Sequence, residues 1–209
     1  MVKRYMILGI VTAIVIAFVF PRCVSCSKSY LNITDKDFLV GNIPPDWTVV
    51  SKDEIAKAQE IEEKNLGYDP NRIMANVLFS VGLNRGDSNS YPHVVIEVIP
   101  LGKFKTINEI IDYNESIYRD IFKGYERIYI DYGREPYNTM AILMYQYYRN
   151  GDTLFTTLDA WVINKSVVWR VGFLSLAEEF KKDASIFSDI LNSFVIKDGN
   201  ITFGRVSIR

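Results

Sequence analysis

Few side chains in this chain could carry chemistry. His93 is the one histidine among 209 residues, so a multi-histidine metal site is excluded and any histidine triad would rest on that ring. Glu97 falls on the same predicted strand face, but four residues along a strand is ~13 Å, beyond hydrogen-bond reach. His93 therefore reads as a half-exposed strand residue. The adjacent acids Glu62/Glu63 and Glu178/Glu179 lie in predicted helices, where neighbours point about 100° apart, and read as solvated faces. Acids distant in sequence, such as Asp131 and Asp159, form the kind of pair that only a fold could bring together for hydrolysis. Neither G-x-G-x-x-G nor G-x-x-x-x-G-K-[ST] occurs, so no phosphate loop is expected. The sequence thus points to no catalytic residue, no metal ligand and no cofactor, and leaves the ligand-binding residues unknown.

The two cysteines, Cys23 and Cys26, both close an apolar N-terminal stretch. The rest of the chain has no thiol, which excludes a disulfide scaffold and a cysteine-ligated metal there. Lys3 and Arg4 precede an uncharged run over residues 5–20, ended by Pro21 and Arg22. At about 16 residues the run is slightly longer than a typical signal-peptide core and slightly shorter than a bilayer span. Three routes stay open: a cleaved signal, an uncleaved anchor, or lipoprotein processing at Cys26. Ser25 is the small residue that lipidation requires before the cysteine, while Cys23 stands three positions ahead of Cys26, where leucine is usual. Arg22 makes Cys23 the poorer acceptor.

This divides the chain into a signal peptide or membrane anchor (1–26), a polar tether (27–37), an α/β domain (38–197) and a C-terminal hairpin or tail (198–209). With 48% hydrophobic and 13% aromatic residues, the bulk of the chain is globular and large enough for a core. The net charge of −1 becomes −4 if Lys3, Arg4 and Arg22 leave with the leader. No Lys/Arg run exceeds two, so nucleic acid is not an expected partner.

Three capping boxes announce helices: Ser51-Lys-Asp-Glu54, Thr106-Ile-Asn-Glu109 and Ser175-Leu-Ala-Glu178. The first predicts a peripheral helix over about 52–66. The second opens a stripe of Ile107, Ile110, Ile111, Ile117, Tyr118, Ile121 and Phe122, with Gly124 suited to stop it. The third turns Leu176, Phe180, Phe187, Ile190, Leu191 and Phe194 inward. Period-two alternation predicts strands near 73–83, 92–99, 127–132, 138–148, 154–163 and 167–173. The last three are joined by turns at Asn150-Gly151-Asp152 and Asn164-Lys165-Ser166, which makes an antiparallel meander. Tyr145, Tyr147, Tyr148, Phe155, Trp161 and Trp169 come from these strands and are expected mainly in the core, unless several line a concave outer face. Strands and helices in this order form an α+β layered domain.

Three segments then carry a resemblance: Asn42-Ile-Pro-Pro-Asp-Trp47, the meander with Ala141, Tyr145 and Gly151, and Phe187-Ser-Asp-Ile-Leu-Asn-Ser-Phe194. In this order, over about 38–195, the chain resembles the PsbP-like superfamily. That family includes the extrinsic subunit of photosystem II, a Ran-binding nuclear import factor and DcrB-type envelope lipoproteins. The resemblance implies an antiparallel β-sheet sandwiched between α-helices and a binding or assembly role, and brings no active-site residue with it. The expected protein is a non-enzymatic, membrane-tethered or exported envelope module that binds another envelope protein or a small ligand. The competing expectation is an envelope hydrolase whose carboxylates meet only in the fold.

Overall fold

The meander strands alternate as the sequence requires, but helices cover both of their faces. The computed structural model describes residues 30–57, 60, 76–83, 92–133, 139–149 and 151–204. The leader, Cys26 and most of the helix expected over 52–66 lie outside them; residues 52–57 are helical. The chain runs β1 (Leu31–Thr34), β2 (Phe38–Ile43), β3 (Trp47–Val49), β4 (Asn76–Leu83), β5 (His93–Pro100), α1 (Ile107–Ile121), β6 (Lys123–Tyr132), β7 (Met140–Arg149), β8 (Thr153–Asn164), β9 (Val167–Leu176), α2 (Phe180–Ser193), β10 (Val195–Ile196) and β11 (Ile201–Thr202). An antiparallel sheet is ordered β3-β4-β5-β9-β8-β7-β6, and a smaller one β1-β2-β10-β11. Among the described residues no helix is long and apolar enough to cross a membrane.

Two cores follow from the pleat. Leu158, Ala160 and Val162 of β8, with Trp169, Val171 and Phe173 of β9, pack against Phe187, Ile190 and Leu191 of α2 and against Phe38, Val40 and Ile43 of β2. The intervening side chains, Phe155, Trp161, Val168 and Leu174, face Ile107, Ile110, Ile111 and Tyr118 of α1. A strand buried on both faces loses the polar alternation of a solvent-facing sheet. Ser193, near the end of α2, accepts the Gly41 N–H at 2.9 Å and lies 2.8 Å from the Gly41 carbonyl, clasping helix to small sheet.

The capping boxes divide. Ser51 and Glu54 form theirs in full. Thr106 caps α1 through the Glu109 N–H, while the Glu109 carboxylate reaches Lys105 N–H. The third does not form: Ser175 continues β9, paired with Thr156, and α2 starts only at Phe180 with no side-chain cap. Strand pairing satisfies the backbone there, and the buried Ser175 hydroxyl donates instead to Asp183 Oδ2 at 2.7 Å. Gly124 does not stop α1 either. The helix ends at Phe122, whose N–H returns to the Tyr118 carbonyl, and Gly124 sits at φ +65° inside a bulge of β6. Residues 31–34, expected within a tether, pair with β2 as β1.

Candidate functional site

The chemistry-bearing side chains gather on the α1 face of the large sheet. Register explains why: Glu97 of β5 lies directly opposite Arg170 of β9, and Asp159 of β8 lies opposite Gly172. The Arg170 guanidinium donates from Nη1 to Glu97 Oε2 at 2.6 Å and from Nη2 to Asp159 Oδ1 at 3.0 Å. Its Nε stands 3.0 Å from Asp159 Oδ2 as an ion pair without hydrogen-bond alignment. Gly172 makes the room, since a Cβ there would stand 2.9 Å from Asp159 Oδ1 and 3.3 Å from Arg170 Nη2. The guanidinium also lies 5.4 Å from the Trp161 ring centroid, within cation–π range.

Asp159 is fully buried, while the Glu97 side chain keeps 13% of its exposure. Burial pushes the Asp159 carboxyl above its ordinary range, against the pull of Arg170. Burial works against the Arg170 charge too, but Asp159 and Glu97 outweigh it and hold the guanidinium protonated. The network continues through hydroxyls: Tyr145 hydrogen-bonds Asp159, and Tyr118 of α1 hydrogen-bonds Tyr145. Their rings stack at 5.2 Å, and burial raises both phenols.

A second cluster sits beside the first. Glu115 of α1 is 1% exposed and accepts from Tyr125 Oη at 2.6 Å and from Arg127 Nη1 at 2.8 Å, with Arg119 at 3.7 Å. Tyr125 is raised by burial and by Glu115, and its ring reaches Tyr145 at 5.3 Å. One polar layer thus runs from Glu97 to Arg127 beneath α1. Each of its acids is matched to an arginine, so the layer ties strand to strand and helix to sheet.

The sequence-derived pair does not assemble. Asp131 lies opposite Ile142, which packs on the α2 side, whereas Asp159 faces α1. Strands of odd and even offset across β6, β7 and β8 put these acids on opposite faces of the sheet. The acid that joins Asp159 is Glu97, through Arg170. His93 stays at the far end of β5, opposite Gly82 and Leu174, and does not meet Glu97. Glu178 is exposed and Glu179 sits at the α2 N-cap; Glu62 and Glu63 lie outside the described residues. Tyr145, Tyr147, Phe155, Trp161 and Trp169 are buried, and Tyr148 alone of that set is exposed, so they form core and not a concave aromatic face. Glu115, Arg127 and Arg170 were not singled out by sequence. Their signal was a charge inside an apolar stripe, at Glu115 between Ile111 and Tyr118, and at Arg170 between Trp169 and Val171. Among the described residues no cluster of His, Cys, Asp and Glu could hold a metal ion.

No protein-family model matches the sequence, and no curated protein matches it. Solved structures do match. The solution structure of cyanobacterial PsbP (CyanoP) from Synechocystis sp. PCC 6803 aligns with a TM-score of 0.54 at 12% identity, covering 85% of this chain and 98% of that one. The Ran-binding protein Mog1p of Saccharomyces cerevisiae aligns with a TM-score of 0.48 at 9% identity, covering 81% and 96%. The chain has the α+β fold of PsbP, with its antiparallel sheet held between helices.

Proposed function

We propose that this chain is an envelope protein, tethered or exported by its N-terminal segment, whose PsbP-like domain binds another envelope protein or a small ligand without turning over a substrate. A DcrB-type lipoprotein, acylated at Cys26, is the specific form this reading takes. What carries it is the division of side chains between interior and surface. Of the acids drawn inward, Glu97, Asp159 and Glu115 are each bound to arginine, and Asp183 accepts the Ser175 hydroxyl. Ile128 and Tyr129 on edge strand β6 stand exposed, as does Tyr148 on β7, farther along the pair opposite Lys123. A carboxylate fixed to a guanidinium is a poor proton carrier, whereas exposed aromatic and branched side chains are what a protein partner buries. Two bulges interrupt β6, which favours recognition by side chains over extension of the sheet. The uncharged run over 5–20 and Cys26 support placement at a membrane.

Proximity labelling and pull-down of the tethered full chain should recover a stable envelope partner, and Tyr129→Asp should reduce its capture. A chain that stays monodisperse and recovers nothing in any condition would count against the reading. Hydrolytic turnover abolished by Glu97→Gln would replace it with the hydrolase.

A further inference from the structure

Exposed large apolar side chains occur at a second place, next to the N-terminal segment. Tyr30 is 51% exposed, and Leu31 and Leu39 are each 36% exposed. Tyr30 and Leu31 open the described fold, and Leu39 projects outward from β2 between buried Phe38 and Val40. We propose that this β1–β2 edge lies on the lipid surface to which the chain is tethered, with Tyr30 and Leu39 in contact with it. The inference rests on the membrane-tethered reading above.

The length of chain before the fold argues for it. From Cys26 to Leu31 is five residues, which reach ~17 Å at full extension. Even from Phe20, where the apolar run ends, the reach is ~38 Å. A chain held at Cys26 therefore keeps the start of β1 within that ~17 Å of the bilayer, and β1 is the strand delivered there. The side chains suit that position. Tyrosine favours the headgroup region, where its ring is buried and its hydroxyl is wet. A single acyl chain holds a protein only marginally, and a second apolar contact makes the attachment stable.

Charge selects the kind of surface. The turn between β1 and β2 is Asp35-Lys36-Asp37, with Lys36 paired to Asp37 at 3.6 Å. It offers no excess of cations to anionic headgroups, so the contact is apolar and should form on zwitterionic lipid.

The test uses the full chain in phosphatidylcholine proteoliposomes, with a benzophenone amino acid at residue 30, 39 or 129 in turn. Alkaline extraction first shows whether the chain stays with the vesicles. Illumination should then give lipid adducts at residues 30 and 39 several-fold above those at 129, unchanged by salt. If the chain stays with the vesicles but the three positions label lipid equally, the proposed edge is wrong and the tether stands. Protein adducts in place of lipid at 30 and 39, in native membranes, overturn it in favour of a partner. Release of the chain by extraction overturns the tether and the edge together.

Discussion

Replacing Arg170 by methionine keeps most of the side-chain stem while deleting the charge that two carboxylates share. The wild-type guanidinium lies 2.6 Å from Glu97 and 3.0 Å from Asp159. Glu97 retains 13% exposure and can turn toward water, whereas Asp159 retains none. Removing one partner of a buried pair costs about 3–5 kcal/mol because the other charge is left uncompensated. The low end applies here, since Asp159 can take up a proton and keeps its hydrogen bond from Tyr145. At ~2–4 °C per kcal/mol for a chain of this size, a loss of ~3 kcal/mol lowers Tm by about 6–12 °C at pH 7. The pH dependence is the sharper test. Burial holds the Asp159 carboxyl above its ordinary value, so the folded state binds this proton more tightly than the unfolded state. Such a group contributes most at low pH, and its contribution is lost as pH rises from ~4 through the raised folded value. Arg170 opposes that rise, so without it the folded value climbs and the window of loss extends upward. The difference in stability between wild type and Arg170→Met should therefore shrink from pH 7 to pH 5, by at most ~1.4 kcal/mol per pH unit. Taking the difference cancels the carboxylates that do not touch Arg170. Thermal melts of the full chain in detergent, followed by circular dichroism at both pH values, measure it. Adding Asp159→Asn to the variant should recover part of the loss and flatten its pH dependence. A variant within ~0.5 kcal/mol of wild type, or a deficit equal at the two pH values, would refute the electrostatic account.

Gly172→Ala places a Cβ 2.9 Å from Asp159 Oδ1, between buried groups that cannot retreat, and should cost ~1–3 kcal/mol in the same melts. Its effect should be smaller in the Asp159→Asn, Arg170→Met background, where the two sites couple. Ser193→Ala leaves the Gly41 N–H without its acceptor at the join between α2 and β2. It should cost ~1–2 kcal/mol and speed amide exchange at Gly41, with β8 and β9 unaffected.

Where a local rule has no competitor, the fold follows it. Ile107, Ile110, Ile111 and Tyr118 bury one face of α1, as their spacing requires, and Lys165 and Ser166 make the two-residue turn between β8 and β9. Where two local rules competed, spacing alone could not choose. Ser175-Leu-Ala-Glu178 satisfies a capping box, yet Thr156 and Phe155 on the neighbouring strand pair with Ser175 and Leu176 and carry β9 three residues beyond its expected end. Gly124 suits a helix stop and a bulge equally, and β6 begins one residue before it.

The site was illegible for a different reason. Alternation says which residues share a face but not what covers that face, so Asp159 and Asp131 could each be taken as an outward acid. Only the crossing of β6, β7 and β8 shows them on opposite sides. Arg170 carried a more usable signal. The run Val167-Val-Trp-Arg-Val-Gly-Phe173 is apolar at nearly every position, as a strand covered on both faces must be. A cation in such a strand requires an anion within reach, and Glu97 supplies it from directly across on β5 and Asp159 diagonally from β8. The consequence reaches past stability. Slipping β9 by one residue against β5 would carry Arg170 to the α2 side, among Ile96 of β5 and Leu158 and Ala160 of β8, and strand both acids beneath α1. A hydrophobic core tolerates such a slip better than a buried ion set does. The cluster thereby specifies the register at the centre of the large sheet, and with it the placement of its edge strand β6, which the chain has available for contact.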